Sequence, residues 1–154
     1  MHRILKGIAA ALVFGLTAVA AMAAPKAHHH PVHRIAIQVD RNDPAVMNLA
    51  LNNATNVLEY YHDKGEKVQV EIVAYGPGLN MLREDTSKVK ERIKQLKDFN
   101  FPSEITFSAC NNTKKGMEKK EGHPITIIPQ ARLVPSGVVR LSQLQEQGWS
   151  YIKP

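Results

Sequence analysis

Glu104-Ile-Thr-Phe-Ser-Ala-Cys110-Asn-Asn-Thr-Lys-Lys-Gly-Met117 is the stretch on which the fold turns. Ile105 to Ala109 is a short apolar run of the kind that forms a buried strand. It ends at Cys110, the single cysteine of the chain. Asn111, Asn112 and Thr113 follow at once, and these residue types cap helices and make turns. The thiol therefore sits where a strand gives way to a helix. In an open α/β sheet that edge is where ligands bind. The amides and partial positive charge of a helix N-terminus also favour a thiolate there.

Working outward, the same alternation recurs on both sides. Towards the N-terminus, Thr86 or Ser87 caps a helix running to about Phe99, with Val89, Ile93 and Leu96 as its buried stripe. Before it, Val68-Gln-Val-Glu-Ile-Val-Ala74 reads as a strand stopped by Tyr75-Gly76-Pro77-Gly78, and Leu79 to Leu82 as a helical turn. Asn42-Asp43-Pro44 starts an earlier helix. Met47, Ala50, Leu51, Ala54, Val57, Leu58 and Tyr61 form its apolar stripe, and Gly65 ends it. Arg34-Ile-Ala-Ile-Gln-Val-Asp40 is the first strand.

Towards the C-terminus, the helix after Cys110 runs to about Lys120. Ile125-Thr-Ile-Ile128 reads as a fourth strand, and Pro129 to Pro135, with Arg132, as a loop. Ser136 caps a last helix with Val138, Leu141 and Leu144 inside. Gly148 ends it, and Trp149-Ser-Tyr-Ile152 closes the chain as a strand. Strands alternating with helices at this spacing predict an α/β fold with a mostly parallel five-stranded sheet and helices on both faces. Right-handed crossovers favour the doubly wound, flavodoxin-like arrangement, with expected strand order 2-1-3-4-5.

Residues 1–23 read as a secretory signal peptide. Arg3 and Lys6 precede an apolar, Ala-rich run from Ile8 to about Ala21, and Ala21-Met22-Ala23 is a small-x-small cleavage site. A membrane anchor is the competing reading; the Ala-rich composition and the cleavage site favour the signal peptide, with no membrane attachment after cleavage. Residues 24–33 form a His-rich leader expected to be disordered, and 34–154 form one domain. Removing Arg3 and Lys6 from the 20 Lys and Arg leaves 18 against 14 Asp and Glu, a net charge of +4. Lys114, Lys115, Lys119 and Lys120 cluster, but Glu118 and Glu121 are interleaved, as on a solvated helix face and unlike a nucleic-acid surface. His28, His29, His30 and His33 are imidazoles on a flexible leader, which lacks the fixed geometry a metal needs, so no metal site is expected.

The loops after the first four strands should share one edge. That edge would gather Tyr75, Gly76, Pro77, Gly78, Asn111, Asn112, Thr113 and Arg132 around Cys110. Gly76 and Gly78 permit close backbone approach to a ligand, or serve a tight turn. The Gly-rich dinucleotide fingerprint, the Gly-Lys-Ser/Thr phosphate loop and Gly-x-Ser-x-Gly are all absent, so no cofactor is expected. Asp40-Arg41-Asn42-Asp43-Pro44 is a poor phosphate loop. His62 and His123 fall at helix ends away from the thiol edge, so a thiol-protease pair fits poorly.

Over roughly His33 to Pro154 the chain resembles the DsrE/DsrF-like family of sulfur-handling proteins, and more closely its exported single-domain members. The resemblance rests on Ile35–Asp40, Asn56-Val-Leu58, Val73-Ala-Tyr-Gly-Pro-Gly-Leu79, Phe107–Thr113, and the end from Gly137 to Leu141 and from Gly148 to Ile152. It implies a flavodoxin-like fold and oligomers. In the sulfur-relay branch a cysteine after the third strand carries sulfur as a persulfide, and Cys110 occupies the matching position. The export signal and Cys110-Asn-Asn-Thr113 depart from that branch. The resulting expectation is a periplasmic sulfur carrier or persulfide-binding protein. Its donor or acceptor would be a protein or a small sulfur compound, with no nucleic acid involved. The alternative is a non-catalytic oligomeric module that binds a ligand or partner, with Cys110 as packing. Enzymatic turnover stays open on these residues.

Overall fold

The structure, a computed structural model, describes residues 32–101 and 104–154. The expected signal segment and His28, His29 and His30 lie outside them.

Five strands, β1 (His33–Val39), β2 (Val68–Ala74), β3 (Ile105–Cys110), β4 (Ala131–Val134) and β5 (Ser150–Ile152), form one sheet in which every pair is parallel. Parallel neighbours need crossover connections, and helices supply them. These are α1 (Pro44–Asp63), α2 (Lys90–Gln95), α3 (Asn111–Glu121) and α4 (Gly137–Glu146), with a 3-10 segment over Gly76–Leu82. The α/β class, a sheet of five strands and the doubly wound pattern are as the sequence predicts.

The strand order is not. It is 4-3-2-1-5, where 2-1-3-4-5 was expected. Each of the first three crossovers steps to the adjacent strand in one direction, and only the last returns across the sheet to the far side of β1. Right-handed connections then put α1, α2 and α3 on one face and α4 alone on the other.

The side chains follow this division. Ile35, Ile37 and Val39 of β1, Val70 and Ile72 of β2, and Ile105 and Phe107 of β3 pack under α1 with Met47, Leu51 and Leu58. Ala36 and Val73 point the other way, against Leu141 and Leu144 of α4, with Tyr75 and Trp149 at the margin. The first core is large and apolar. The second is small, and Gln38, Glu71 and Ser108 are buried on the same face.

Several elements shift from expectation. Ile125–Ile128 is not a sheet strand. Pro124 and Pro129 bracket it, Ile127 makes one antiparallel bridge to Arg83, and Ile125 and Ile128 are buried. The fourth strand is instead Ala131–Val134, so Arg132 lies in the sheet and not in a loop. α2 begins at Lys90, later than Thr86 or Ser87, because Ser87 turns its hydroxyl to the Met81 carbonyl. Its last turn widens into a π turn over Leu96–Asn100. Val138, expected inside, is exposed, while Leu141 and Leu144 are buried. α1 matches the reading: the Asp43 side chain accepts from the Ala45 amide, Pro44 opens the first turn, and Gly65 follows at φ 67°.

Candidate functional site

The connection after β3 leads to α3 on one face, and the connection after β4 leads to α4 on the other. Two adjacent parallel strands whose helices depart to opposite faces leave a crevice at their C-terminal ends. Cys110 ends β3 there and is partnered in register by Val134 of β4.

The thiol is 4% exposed and has four donors around it. The Thr113 amide donates to Sγ at 3.4 Å. The Thr113 hydroxyl accepts from the Gly76 amide at 2.9 Å, and this side chain helps to lower the thiol's pKa. The amides of Asn112, from α3, and of Gly137, from α4, also face it. Asn112 shares its N–H with the Pro135 carbonyl at 3.2 Å, which ties the start of α3 to the end of β4. Sulfur thus lies between the N-terminal amides of two helices, where negative charge is favoured. Burial pushes the thiol up, but the hydrogen bonds from Thr113, Gly137 and Asn112 outweigh it and hold the thiol below its ordinary value.

Tyr75 packs against Gly137, whose amide faces the sulfur. A Cβ on Gly137 would lie 2.7 Å from the Tyr75 Cβ, so glycine is what lets α4 start against this ring. Burial and the nearby charge of Asp40 push the Tyr75 phenol up, keeping it neutral. Gly78 has a different role from the one its place in the loop suggests. A Cβ there would sit 2.2 Å from the Val39 carbonyl oxygen, so Gly78 packs the 3-10 segment onto the end of β1. Pro77 and Asn112 are exposed at the rim, and Asn111 is half-buried.

Arg132 is on the thiol's face of the sheet but bonds elsewhere. Its Nη2 donates to Oε2 of Glu71 at 3.0 Å and its Nε to the Ser108 hydroxyl at 3.2 Å. Arg140 makes a fork with the same carboxylate, Nε to Oε1 at 2.8 Å and Nη2 to Oε2 at 2.7 Å, and Ser108 donates to Oε1 at 2.7 Å. Burial pushes the Glu71 carboxyl up. The hydrogen bonds from Arg140 and Ser108, with the charges of Arg132 and Arg140, outweigh it and hold Glu71 below the usual carboxylate range.

The structure therefore brings Thr113 and the Asn112 amide to Cys110, sets Gly76 on the Thr113 hydroxyl and Tyr75 against Gly137, and leaves Gly78 and Arg132 in other roles and Pro77 exposed. The sequence reading missed the Gly137 amide and the Glu71–Ser108–Arg140 network. Glu71 was the available signal, a carboxylate in the middle of an otherwise apolar central strand. His62, in the last turn of α1, and His123, beyond the end of α3, make no contact with the thiol. His33 stacks on Tyr61 at 3.8 Å and bonds Glu66 at 2.7 Å. Among the described residues no cluster of three or more His, Cys, Asp or Glu could hold a metal ion, and no helix is long and apolar enough to cross a membrane.

An all-parallel, doubly wound α/β domain with a single cysteine at the strand-to-helix crevice defines the class. The family model of the DsrE/DsrF-like family matches residues 33–154, and the chain belongs to that family. Among solved structures it is similar to a protein of unknown function from Methanobacterium thermoautotrophicum, with 28% identity and a TM-score of 0.66 over 79% of this chain and 99% of that one. No curated protein matches the chain.

Proposed function

We propose that this DsrE-like protein carries sulfane sulfur as a persulfide on Cys110. The observation behind this is the convergence of the Thr113, Asn112 and Gly137 amides on one sulfur at the crevice between β3 and β4. In the step envisaged, the Cys110 thiolate attacks the sulfane sulfur of a persulfide or polysulfide donor. The new S–S bond forms as the donor's S–S bond breaks, and the donor leaves as a thiolate with the electron pair. The added terminal sulfur is also an anion, so the donors that favour the thiolate favour the loaded form. A thiol 4% exposed is reached only when its surroundings open.

The Arg3 and Lys6 start, the Ala-rich run and Ala21-Met22-Ala23 support export to the periplasm with cleavage after Ala23. An N-terminal mass on the exported protein tests that. For the carrier itself, purified protein is reduced, treated with polysulfide and weighed intact, with Cys110→Ser alongside. Added sulfur that disappears in Cys110→Ser is expected. A thiol unmodified until denaturant is added would overturn the reading.

A second reading, an oligomeric binding module, is favoured by one observation. Leu133, Val138 and Val139, from β4 and the first turn of α4, are 51–61% exposed. Exposed apolar side chains on and beside a free sheet edge suit burial against another chain. Sedimentation velocity on the protein and on Leu133→Glu tests it: an oligomer dissociated by the charge is expected, and a monomer in both would remove this reading.

A further inference from the structure

Glu71 is a single carboxylate held by two guanidiniums, so the cluster it forms with Arg132 and Arg140 carries one surplus positive charge. Each arginine uses Nε and Nη2 within the cluster. Nη1 of each has no partner among the described residues. Both arginines line a groove of about 250 Å³ between β4 and the start of α4, walled also by Val134, Ser136, Val139 and Gln143. None of the residues lining this groove is acidic. A groove with apolar walls, a hydroxyl, an amide and two guanidiniums has the makeup of a small-ligand site. Glu71 acts here as a positioning residue. It holds the Arg140 fork and the Arg132 Nη2 from beneath while cancelling only one of their charges.

We propose that this groove binds a small ligand through an oxyanion group, sulfate-, phosphate- or carboxylate-like, held by Arg132 and Arg140. The site is distinct from the thiol, whose donors are backbone amides and Thr113. It does not depend on whether Cys110 carries sulfur. The groove and the thiol both border the end of β4 at Val134, so an anion seated on the arginines lies against the strand end that borders Cys110.

The test is calorimetric titration of the full-length protein with sodium sulfate, sodium phosphate and sodium acetate in turn, each against sodium chloride at equal ionic strength. Saturable one-to-one binding of at least one of the three is expected, and which one binds identifies the anion class. Arg132→Gln should weaken it about tenfold or more, the loss of one hydrogen bond to a charged group. Arg132 is half exposed, so this variant should keep its fold, checked by its urea midpoint. Lys67→Gln, an exposed cation at the start of β2, and Cys110→Ser should both bind as the parent does. Heats no larger than those with chloride would overturn the proposal. So would equal weakening by Arg132→Gln and Lys67→Gln, or loss of binding in Cys110→Ser, which would place the anion at the thiol instead.

Discussion

Replacing Glu71 with Gln tests the account of the second sheet face most directly. Glu71 is 2% exposed and accepts from Arg132, Arg140 and Ser108. Breaking a buried ion pair by removing one partner costs about 3–5 kcal/mol, because the remaining charge is left unmatched. The two guanidiniums do not share that cost equally. The Arg132 side chain is 54% exposed and can turn to water, whereas Arg140 is 22% exposed under α4. The lower end of the range, about 3 kcal/mol, is therefore expected for Glu71→Gln. Arg140→Met should cost less, about 2 kcal/mol, and Arg132→Gln under about 1 kcal/mol, as for exposed pairs. Urea unfolding followed by Trp149 fluorescence measures all three, since Trp149 packs beside α4 and is the single tryptophan. The pH dependence adds a second readout. Glu71 titrates lower in the folded protein than in the unfolded chain, so its contribution is complete above the ordinary carboxylate range. It is lost as pH falls through the folded value. The gap between parent and Glu71→Gln should thus be full at pH 7 and shrink below about pH 4. A cost under about 1 kcal/mol for Glu71→Gln, or a gap that widens in acid, would refute the reasoning.

Thr113→Val removes the hydroxyl joining the Gly76 amide to the sulfur. The Cys110 thiol should then titrate higher and react with polysulfide severalfold more slowly at neutral pH, with Thr113→Ser restoring the rate; alkylation rate against pH measures both. Gly78→Ala drives a Cβ into the Val39 carbonyl and should lower stability by at least about 2 kcal/mol in urea, without abolishing the thiol's reactivity in the protein that remains folded. Gly137→Ala meets the Tyr75 ring and should shift the start of α4. The expected outcome is a smaller stability loss, about 1–2 kcal/mol, and a thiol that titrates higher as the Gly137 amide moves off it.

The parts of the fold legible in the sequence were those written in periodicity. The Ile35, Ile37 and Val39 alternation and the Met47-to-Leu58 stripe named their elements because burial on one face dictates them. Strand order was not legible. A crossover to the next strand and a crossover past one have similar lengths, and nothing in the spacing of residues separates them. Ala131-Arg-Leu-Val134 is short, lies between prolines and carries a charge, so Ile125–Ile128 has the stronger strand pattern although it is not in the sheet. The Ile125–Ile128 residues are buried from a loop, and apolar content alone does not tell a strand from a plug. At the site, the Asn112 and Thr113 amides followed from helix geometry around Cys110. The Gly137 amide could not, because it reaches the sulfur across the β3–β4 pairing, a contact that exists only once the topology is known.

The order 4-3-2-1-5 also fixes when the domain can finish folding. β1 is the first strand made, yet one of its two edges is completed only by Ser150–Ile152, at the far end of the chain. The face it shares with Glu71 is covered only by the helix just before that strand. A chain growing from its N-terminus can assemble β1 to β4 with α1 to α3 and bury the larger core. It still presents an open strand edge and a half-built polar face until its last residues are available. Late closure of this kind leaves α4 and β5 as the last elements to dock. Deleting Ser150–Ile152 should therefore bare the edge of β1 and lower the stability of the assembled core, where trimming an unpaired tail costs nothing.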